Sequence, residues 1–369
     1  MINTRNNGTP FILKRIQIKQ NTFMNDYFQC DIIPFPENGP PASSVSFKMN
    51  SALKAAIGEH LERTSVYVNN KRFKNLTLTA YNMITWEPVL LPLHRILLNW
   101  SVPIFKQVDL INTFNDTCGL ACHTTSFNCV QSAFFEFFER QCLLYNWFTS
   151  SPGKQLYLKH LLKDGDLRKL IKMAYHHVEE LYFFDISIHC DVKVIISIAL
   201  GEKTKGVGLC AHWGYKDAIL GSIKELFQYI TIEQFDNTLN GKQIDNNLTD
   251  PLYYSKHFMN HVNSCTLKKD FDYLISNSEY TNINASQSLS VSKEEFNTIA
   301  KKISSEVNMD LILCYIPQLY QGINTKIVKI LTTKGFYHMF AAEIDPHKVP
   351  ILEAYDGELQ NIGKMIPFG

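Results

Sequence analysis

The stretch 119-GLACHTTSFNCVQSAFFEFFERQ-141 ends in a segment that sets two carboxylates and an arginine among Phe134, Phe135, Phe137 and Phe138. On a helix of 3.6 residues per turn, Asn128, Ser132, Glu136, Glu139, Arg140 and Leu143 fall along one stripe, and the phenylalanines cover the remaining faces. A helix apolar nearly all round is buried. Buried carboxylates need cations, hydrogen bonds or a water-filled site, because ionised groups without partners are too costly. An ordinary rival is a structural ion-pair network, with Glu136 and Arg140 as an i,i+4 pair and Glu139 meeting a basic group on another element.

Working outward, the stretch repeats. Glu136 lies 17 positions after Gly119 of "GLACH", and Glu225 lies 17 positions after Gly208 of "GLCAH" (208–212). The helices match as well: Ser132-Ala-Phe-Phe-Glu136-Phe-Phe-Glu139-Arg140 is echoed by Gly221-Ser-Ile-Lys-Glu225-Leu-Phe-Gln228. Upstream, "ALKAAIGEHLER" carries Glu59, Glu62 and Arg63 in the same pattern, and "ASSVS" begins 17 positions before Glu59. The unit is a small-residue turn followed by a helix with E-x-x-[EQ], twice followed by Arg.

Three polar stripes on apolar helices are hard to explain as unrelated ion pairs, since each buried carboxylate adds desolvation cost. One shared site explains them better. Five glutamates in it demand divalent cations, and oxygen-only donors favour Mg2+, which bridges carboxylates and substrate phosphates. Arg63 and Arg140 suit phosphate oxygens by their fork geometry. The expectation is a nucleoside-triphosphate pocket, although there is no G-x-x-x-x-G-K-[ST] loop. "GVGLCA" (206–211) fits a dinucleotide turn only loosely, because the apolar strand ends and the helix begins several residues away from it.

These residues resemble the YcaO family, whose ATP-binding fold carries E-x-x-E-R helices and a later E-x-x-Q helix after small, glycine-containing turns. Residues 183–228 are similar to the family's strand, strand, glycine turn and third motif in order, and the likeness spans roughly residues 40–345. It implies an α/β YcaO-type fold in which three repeated turn-helix ATP-binding motifs surround a shared Mg-nucleotide site. Residue by residue, it implies that Glu59, Glu62, Glu136 and Glu139 hold Mg2+, and that Arg63, Asn128, Ser132, Arg140, Glu225 and Gln228 contact ATP or metal. The family uses ATP to phosphorylate the backbone amide oxygen of a peptide, most often cyclodehydrating Cys, Ser or Thr to azolines without a protein nucleophile. The first motif looks more like subunits of microcin-type azole synthetases. That implies a precursor peptide, a separate peptide-recognition subunit and a flavin-dependent azoline dehydrogenase as partners. Thioamide or amidine formation, and a non-catalytic nucleotide-binding scaffold, are the alternatives. Two departures stand out: "ASSVS" lacks the family's Gly-Lys turn, and the tail "GKMIPFG" holds one proline where many members have a run.

Composition is compatible with this. A net charge of +1 without Lys/Arg runs gives no case for nucleic-acid binding. No apolar secretion signal opens the sequence, and the most apolar stretch, 88–105, is broken by Pro92, His94, Arg95, Asn99 and Pro103, so a cytoplasmic, non-membrane chain is expected. The nine cysteines include no C-x-x-C pair and are read as reduced thiols without a zinc site. An N-terminal extension is expected over 1–40 and the catalytic domain over 41–369, with a polar loop near 235–251. Periodicity predicts helices at about 48–65, 126–147, 215–230 and 293–306. It predicts strands at 88–92, 192–200, 310–316 and 326–332, in more than one sheet.

Overall fold

The computed structural model describes residues 13–21, 24–34, 40–67, 77–98, 115–163, 165–202, 204–236, 258, 262–283, 288–318, 320 and 323–368. The loop expected at 235–251 lies outside these but for its first two residues, as does part of the proline-rich segment 32–41. Thirteen strands are described, in three sheets, and five of the helices reach ten residues. These five are α1 (Met49–Val66), α2 (Ser126–Thr149), α3 (Gly165–Ala174), α4 (Tyr215–Asp236) and α5 (Lys293–Glu306).

The chain divides into two compact units, Met1–Phe137 with Leu311–Thr332, and Phe138–Asp310 with Thr333–Gly369. In the first, β1 (Leu13–Asn21), β2 (Met24–Pro34) and β3 (Ala42–Ser46) form an antiparallel sheet in the order β1-β2-β3. Residues 13–34, ahead of the first repeat, thus share a sheet with it. Helix α1 lies on this sheet through Leu61 and the small Ala52 and Ala56, which let helix and strands approach, against Cys30, Ile32 and Ala42.

The same unit holds β4 (Thr77–Asn82), β5 (Pro88–Pro92), β6 (Leu120–His123), β12 (Ile312–Ile316) and β13 (Lys326–Leu331), in the order β5-β4-β12-β13-β6. Alternation puts Ala80, Leu91, Cys314, Ile316 and Ile327 on the core side, while Thr79, Tyr81, Leu90 and Tyr315 are exposed.

In the second unit, β7 (Lys154–Leu156), β8 (Glu180–Asp185), β9 (Lys193–Leu200), β10 (Lys205–His212) and β11 (Glu279–Thr281) order as β10-β9-β8-β7-β11. Strand β9 is buried from Val194 to Leu200, which is why its sequence is an almost unbroken apolar run. Helix α4 covers β10 and β9. Helix α5 starts at a reciprocal capping box between Ser292 and Glu295.

The repeat takes a form that the sequence did not suggest. Each small-residue segment expected as a turn is a strand, and each strand passes through two bent residues into its helix: β3 into α1, β6 into α2, β10 into α4. Glycine serves here to admit backbone. A Cβ on Gly208 would stand 1.9 Å from the Ser222 carbonyl of α4, and Gly119, at φ +70°, would meet the Ile330 carbonyl at 2.3 Å.

Candidate functional site

The strand, bend and helix unit fixes where each glutamate points. In the first unit, Glu59 on α1 accepts a hydrogen bond from the Ser43 amide of β3 at 2.7 Å, and its other oxygen is 2.6 Å from Arg63 Nη2. Arg63 also donates through Nη1 to the Pro41 carbonyl at 2.7 Å. Its Nε is buried with no acceptor among the described residues. Glu62, one turn on, accepts from the backbone amide of Cys122 on β6.

Glu136 of α2 completes the first cluster. Burial pushes the Glu62 carboxyl well above the usual range, and the negative charges of Glu136 and then Glu59 push it further, against the opposing pull of Arg63 and the Cys122 amide. Burial also raises Glu59, partly offset by Arg63 and the Ser43 amide. Lys329 of β13 lies buried within reach of the Glu136 charge, donating to Asn115 Oδ1 at 2.8 Å, and its desolvation lowers its pKa.

The second unit repeats the pattern. Glu225 of α4 accepts from the Leu209 amide of β10 at 2.6 Å, and Glu139 of α2 accepts from the Ala211 amide at 3.0 Å. Arg140 lies between their free oxygens, Nε 3.5 Å from Glu139 Oε1 and Nη2 4.0 Å from Glu225 Oε1. The Phe368 ring of the C-terminal tail sits under the Arg140 guanidinium at 4.8 Å and meets Tyr229 edge-on. Burial raises the Glu225 carboxyl, and Arg140 and the Leu209 amide oppose it.

One rule covers these bonds. The first glutamate of a copy binds the amide at the second position of its own small-residue segment, Ser43 of "ASSVS" and Leu209 of "GLCAH", at an offset of 16 residues for both Glu59 and Glu225. The second glutamate binds the amide at the fourth position of the next copy's segment: Glu62 on Cys122 of "GLACH", Glu139 on Ala211 of "GLCAH".

The other expected site residues fall on the same helices. Asn128 and Ser132 are exposed on the N-terminal half of α2, and Gln228 is half-buried on α4. Asn128, Ser132, Glu136 and Glu139 run from exposed to buried along α2, so the polar stripe opens at one end. His123 Nδ1 accepts from the Thr125 amide at 3.2 Å in its own bend, and His212 lies 3.6 Å from Asp217. Sequence reading missed Lys329, Phe368 and every backbone amide that holds a carboxylate. A lysine inside the apolar run "KIVKIL" was the available signal for the first.

The donor set suits a hard divalent cation. The first cluster is all oxygen, and burial, with the neighbouring carboxylates adding to it, holds the Glu62 carboxyl well above the usual range, a balance that a dication reverses. The partnerless Arg63 Nε suits a phosphate oxygen.

A family model described as YcaO cyclodehydratase, ATP- and Mg2+-binding, matches residues 74–319, more than half of the chain. The chain belongs to the YcaO family. The expected ATP-dependent cyclodehydratase type and its ligands ATP and Mg2+ are met at that level. The chain is 24% identical over 312 residues to the microcin B17-processing protein McbD of Escherichia coli, covering 79% of this chain and 72% of McbD. In fold it is similar to a chain of the E. coli microcin synthetase McbBCD complex with pro-MccB17 bound, at a TM-score of 0.72, 18% identity and full coverage of both chains. It is also similar to YcaO from Methanopyrus kandleri bound with AMPPCP and Mg2+, at a TM-score of 0.66 and 12% identity over 88% of this chain and 86% of that one. The expected α/β YcaO architecture is therefore the one observed. Among the described residues no helix is long and apolar enough to cross a membrane.

Proposed function

We propose that this YcaO protein is the ATP-dependent subunit of a peptide-modifying synthetase that cyclodehydrates Cys, Ser or Thr residues of a ribosomally made precursor to azolines. The observation that carries this reading is the crowding of Glu62 by Glu136 and Glu59 beside an arginine whose buried Nε lacks an acceptor. In the first unit Glu59, Glu62 and Glu136 hold Mg2+, and in the second Glu139 does so beside Glu225. Bound there, Mg2+ neutralises the charge of the transferring phosphate. Arg63 and Arg140 donate to phosphate oxygens, while Asn128, Ser132, Glu225 and Gln228 orient the nucleotide.

In the reaction, a substrate side chain attacks the preceding carbonyl carbon, the carbonyl oxygen takes the γ-phosphoryl group, and loss of phosphate leaves the ring. Each turnover converts one ATP to ADP and phosphate and removes the elements of one water from the peptide, the oxygen leaving in the phosphate and the two hydrogens as protons. The protein's part is positioning and charge stabilisation, and none of its residues forms a bond to the substrate. The catalytic domain is assigned to residues 41–369. Similarity to the McbBCD complex with pro-MccB17 bound supports a precursor peptide and partner subunits; we assign those subunits as a peptide-recognition protein and a flavin-dependent dehydrogenase, and the cytoplasm as the location.

The test is an 18O label at the reacting carbonyl of a precursor, with the partner subunits supplied. The label is expected in inorganic phosphate, one atom per ring. Label in bulk water and phosphate labelled only from solvent overturn direct activation.

A further inference from the structure

Outside the repeated segments themselves, the loop 186-ISIHCDV-192 joins β8 to β9 in the second unit and brings three different donors together. One donor atom each from His189, Cys190 and Asp191 lies within 4.8 Å of the other two. We propose that this triad is a binding site for a borderline divalent cation of the zinc class, separate from the carboxylate clusters of the repeats.

The tautomer of His189 is set for it. Its Nδ1 carries the lone pair and Nε2 the hydrogen; that lone pair accepts from the Asp191 amide at 3.2 Å, a long bond that an ion at Nδ1 would displace. Nε2 then donates to Glu306 Oε2 at 3.0 Å, at the C-terminal end of α5. A metal-binding imidazole is held in this way, its second nitrogen donating to a carboxylate that fixes the ring and raises its basicity. The imidazole is buried, while Cys190 is exposed and reduced.

Charge and geometry agree. Nδ1 stands 4.0 Å from Asp191 Oδ2, and donors around Zn2+, at about 2.0–2.3 Å from the ion, lie about 3–4 Å apart, so a small contraction of the loop closes the triad. Thiolate and carboxylate together match a dication. Lys302 stands 3.5 Å from the same Asp191 Oδ2, a long contact that an ion would replace, and Lys193 donates to the Cys190 carbonyl, leaving its sulfur. Sulfur among the donors selects against Mg2+. His189, Cys190 and Glu306 line a cavity of about 490 Å3 with Asp185 and Tyr215, so three protein ligands would leave the fourth position facing open space, as in sites that take water or a substrate atom. Binding releases the Cys190 thiol proton, and affinity rises with pH.

The test uses the purified, metal-free full chain titrated with Co2+. One equivalent is expected to produce a thiolate-to-cobalt charge-transfer band that Zn2+ removes and a large excess of Mg2+ leaves in place. Cys190→Ser abolishes the band and His189→Ala weakens binding more than about 100-fold, with near-UV circular dichroism unchanged. Glu306→Gln weakens it about 10- to 100-fold. Glu62→Gln leaves the band intact, which separates this site from the proposed ATP site. Absence of cobalt uptake, a band that survives Cys190→Ser, or displacement by Mg2+ overturns the proposal.

Discussion

Glu62→Gln separates a metal cluster from a structural ion-pair network, because the two give opposite signs of stability change. Glu62 is crowded by Glu136 and Glu59 and relieved by Arg63 and the Cys122 amide. At an effective dielectric constant of about 20, two charges about 7 Å apart interact by about 2 kcal/mol. Two like neighbours against one arginine leave a net penalty of about 2 kcal/mol for the ionised carboxylate. The amide of glutamine still accepts from Cys122 but loses about 1 kcal/mol of charge-assisted bonding. The variant without metal is therefore more stable at neutral pH by about 1 kcal/mol, a rise in Tm of about 2–4 °C.

The pH dependence carries the same sign. A carboxyl raised in the folded state keeps its proton after the unfolded chain has lost its own, so the wild type loses stability as pH climbs from the ordinary glutamate value to the raised one. Glutamine has no such slope, and the gain in Tm grows as pH rises from the ordinary glutamate value toward the raised one. Mg2+ binding must displace that proton, so wild-type affinity falls up to about tenfold per pH unit below the raised value. The assay is calorimetry across pH with and without Mg2+, beside ATP turnover, which the variant loses. A fall in Tm at neutral pH, with turnover retained, refutes the reasoning and restores the ion-pair network.

Glu139→Gln keeps an acceptor for the Ala211 amide, so it is expected to stay folded while ATP turnover falls at least about 100-fold; unfolding seen by circular dichroism contradicts a metal role. Gly208→Ala drives a methyl into the Ser222 carbonyl and the Leu226 amide, backbone atoms that cannot yield, and costs about 3 kcal/mol, read as a fall of roughly 6–12 °C in Tm. Phe368→Ala removes the ring beneath Arg140, worth about 0.5–2 kcal/mol when partly desolvated, and empties a buried site; the KM for ATP rises several-fold while Tm falls, and an unchanged KM detaches the tail from the nucleotide.

The elements that sequence reading located share a strong local signal. The helices expected at 48–65 and 293–306 are Met49–Val66 and Lys293–Glu306, and the strand expected at 192–200 is Lys193–Leu200. Their apolar periods, and for α5 the Ser292–Glu295 box, act within the segment itself. The strands β3, β6 and β10 carry Gly, Ser and Ala, which have weak strand preference, and they are strands because neighbours pair with them. The hairpin Leu13–Pro34 has charged side chains along β1 and was hidden likewise. The carboxylate stripe was legible because helical spacing alone lines up Glu136 and Glu139. The amides of Ser43, Cys122, Leu209 and Ala211 were not, since an amide leaves no trace in residue type.

The register rule gives a reason for the residues that differ between copies. In a copy with another behind it, the second glutamate reaches the next strand; among the described residues no further strand of this kind follows the third copy, and Gln228 stands in that place. Among the glutamates held by amides, three turn their second oxygen to an arginine: Glu59 to Arg63, and Glu139 and Glu225 to Arg140. Glu62 differs, since its largest charged neighbours are carboxylates. An ion pair already offsets much of the cost of the other three, so a divalent cation gains least beside them. It gains most beside Glu62, where unbalanced negative charge is retained at a fixed place by the Cys122 amide. Affinity for Mg2+ should therefore fall further in Glu62→Gln than in Glu59→Gln, and isothermal titration of the two variants measures the difference. Equal losses would mean that the arginines, and not the crowding of carboxylates, set where the cation binds.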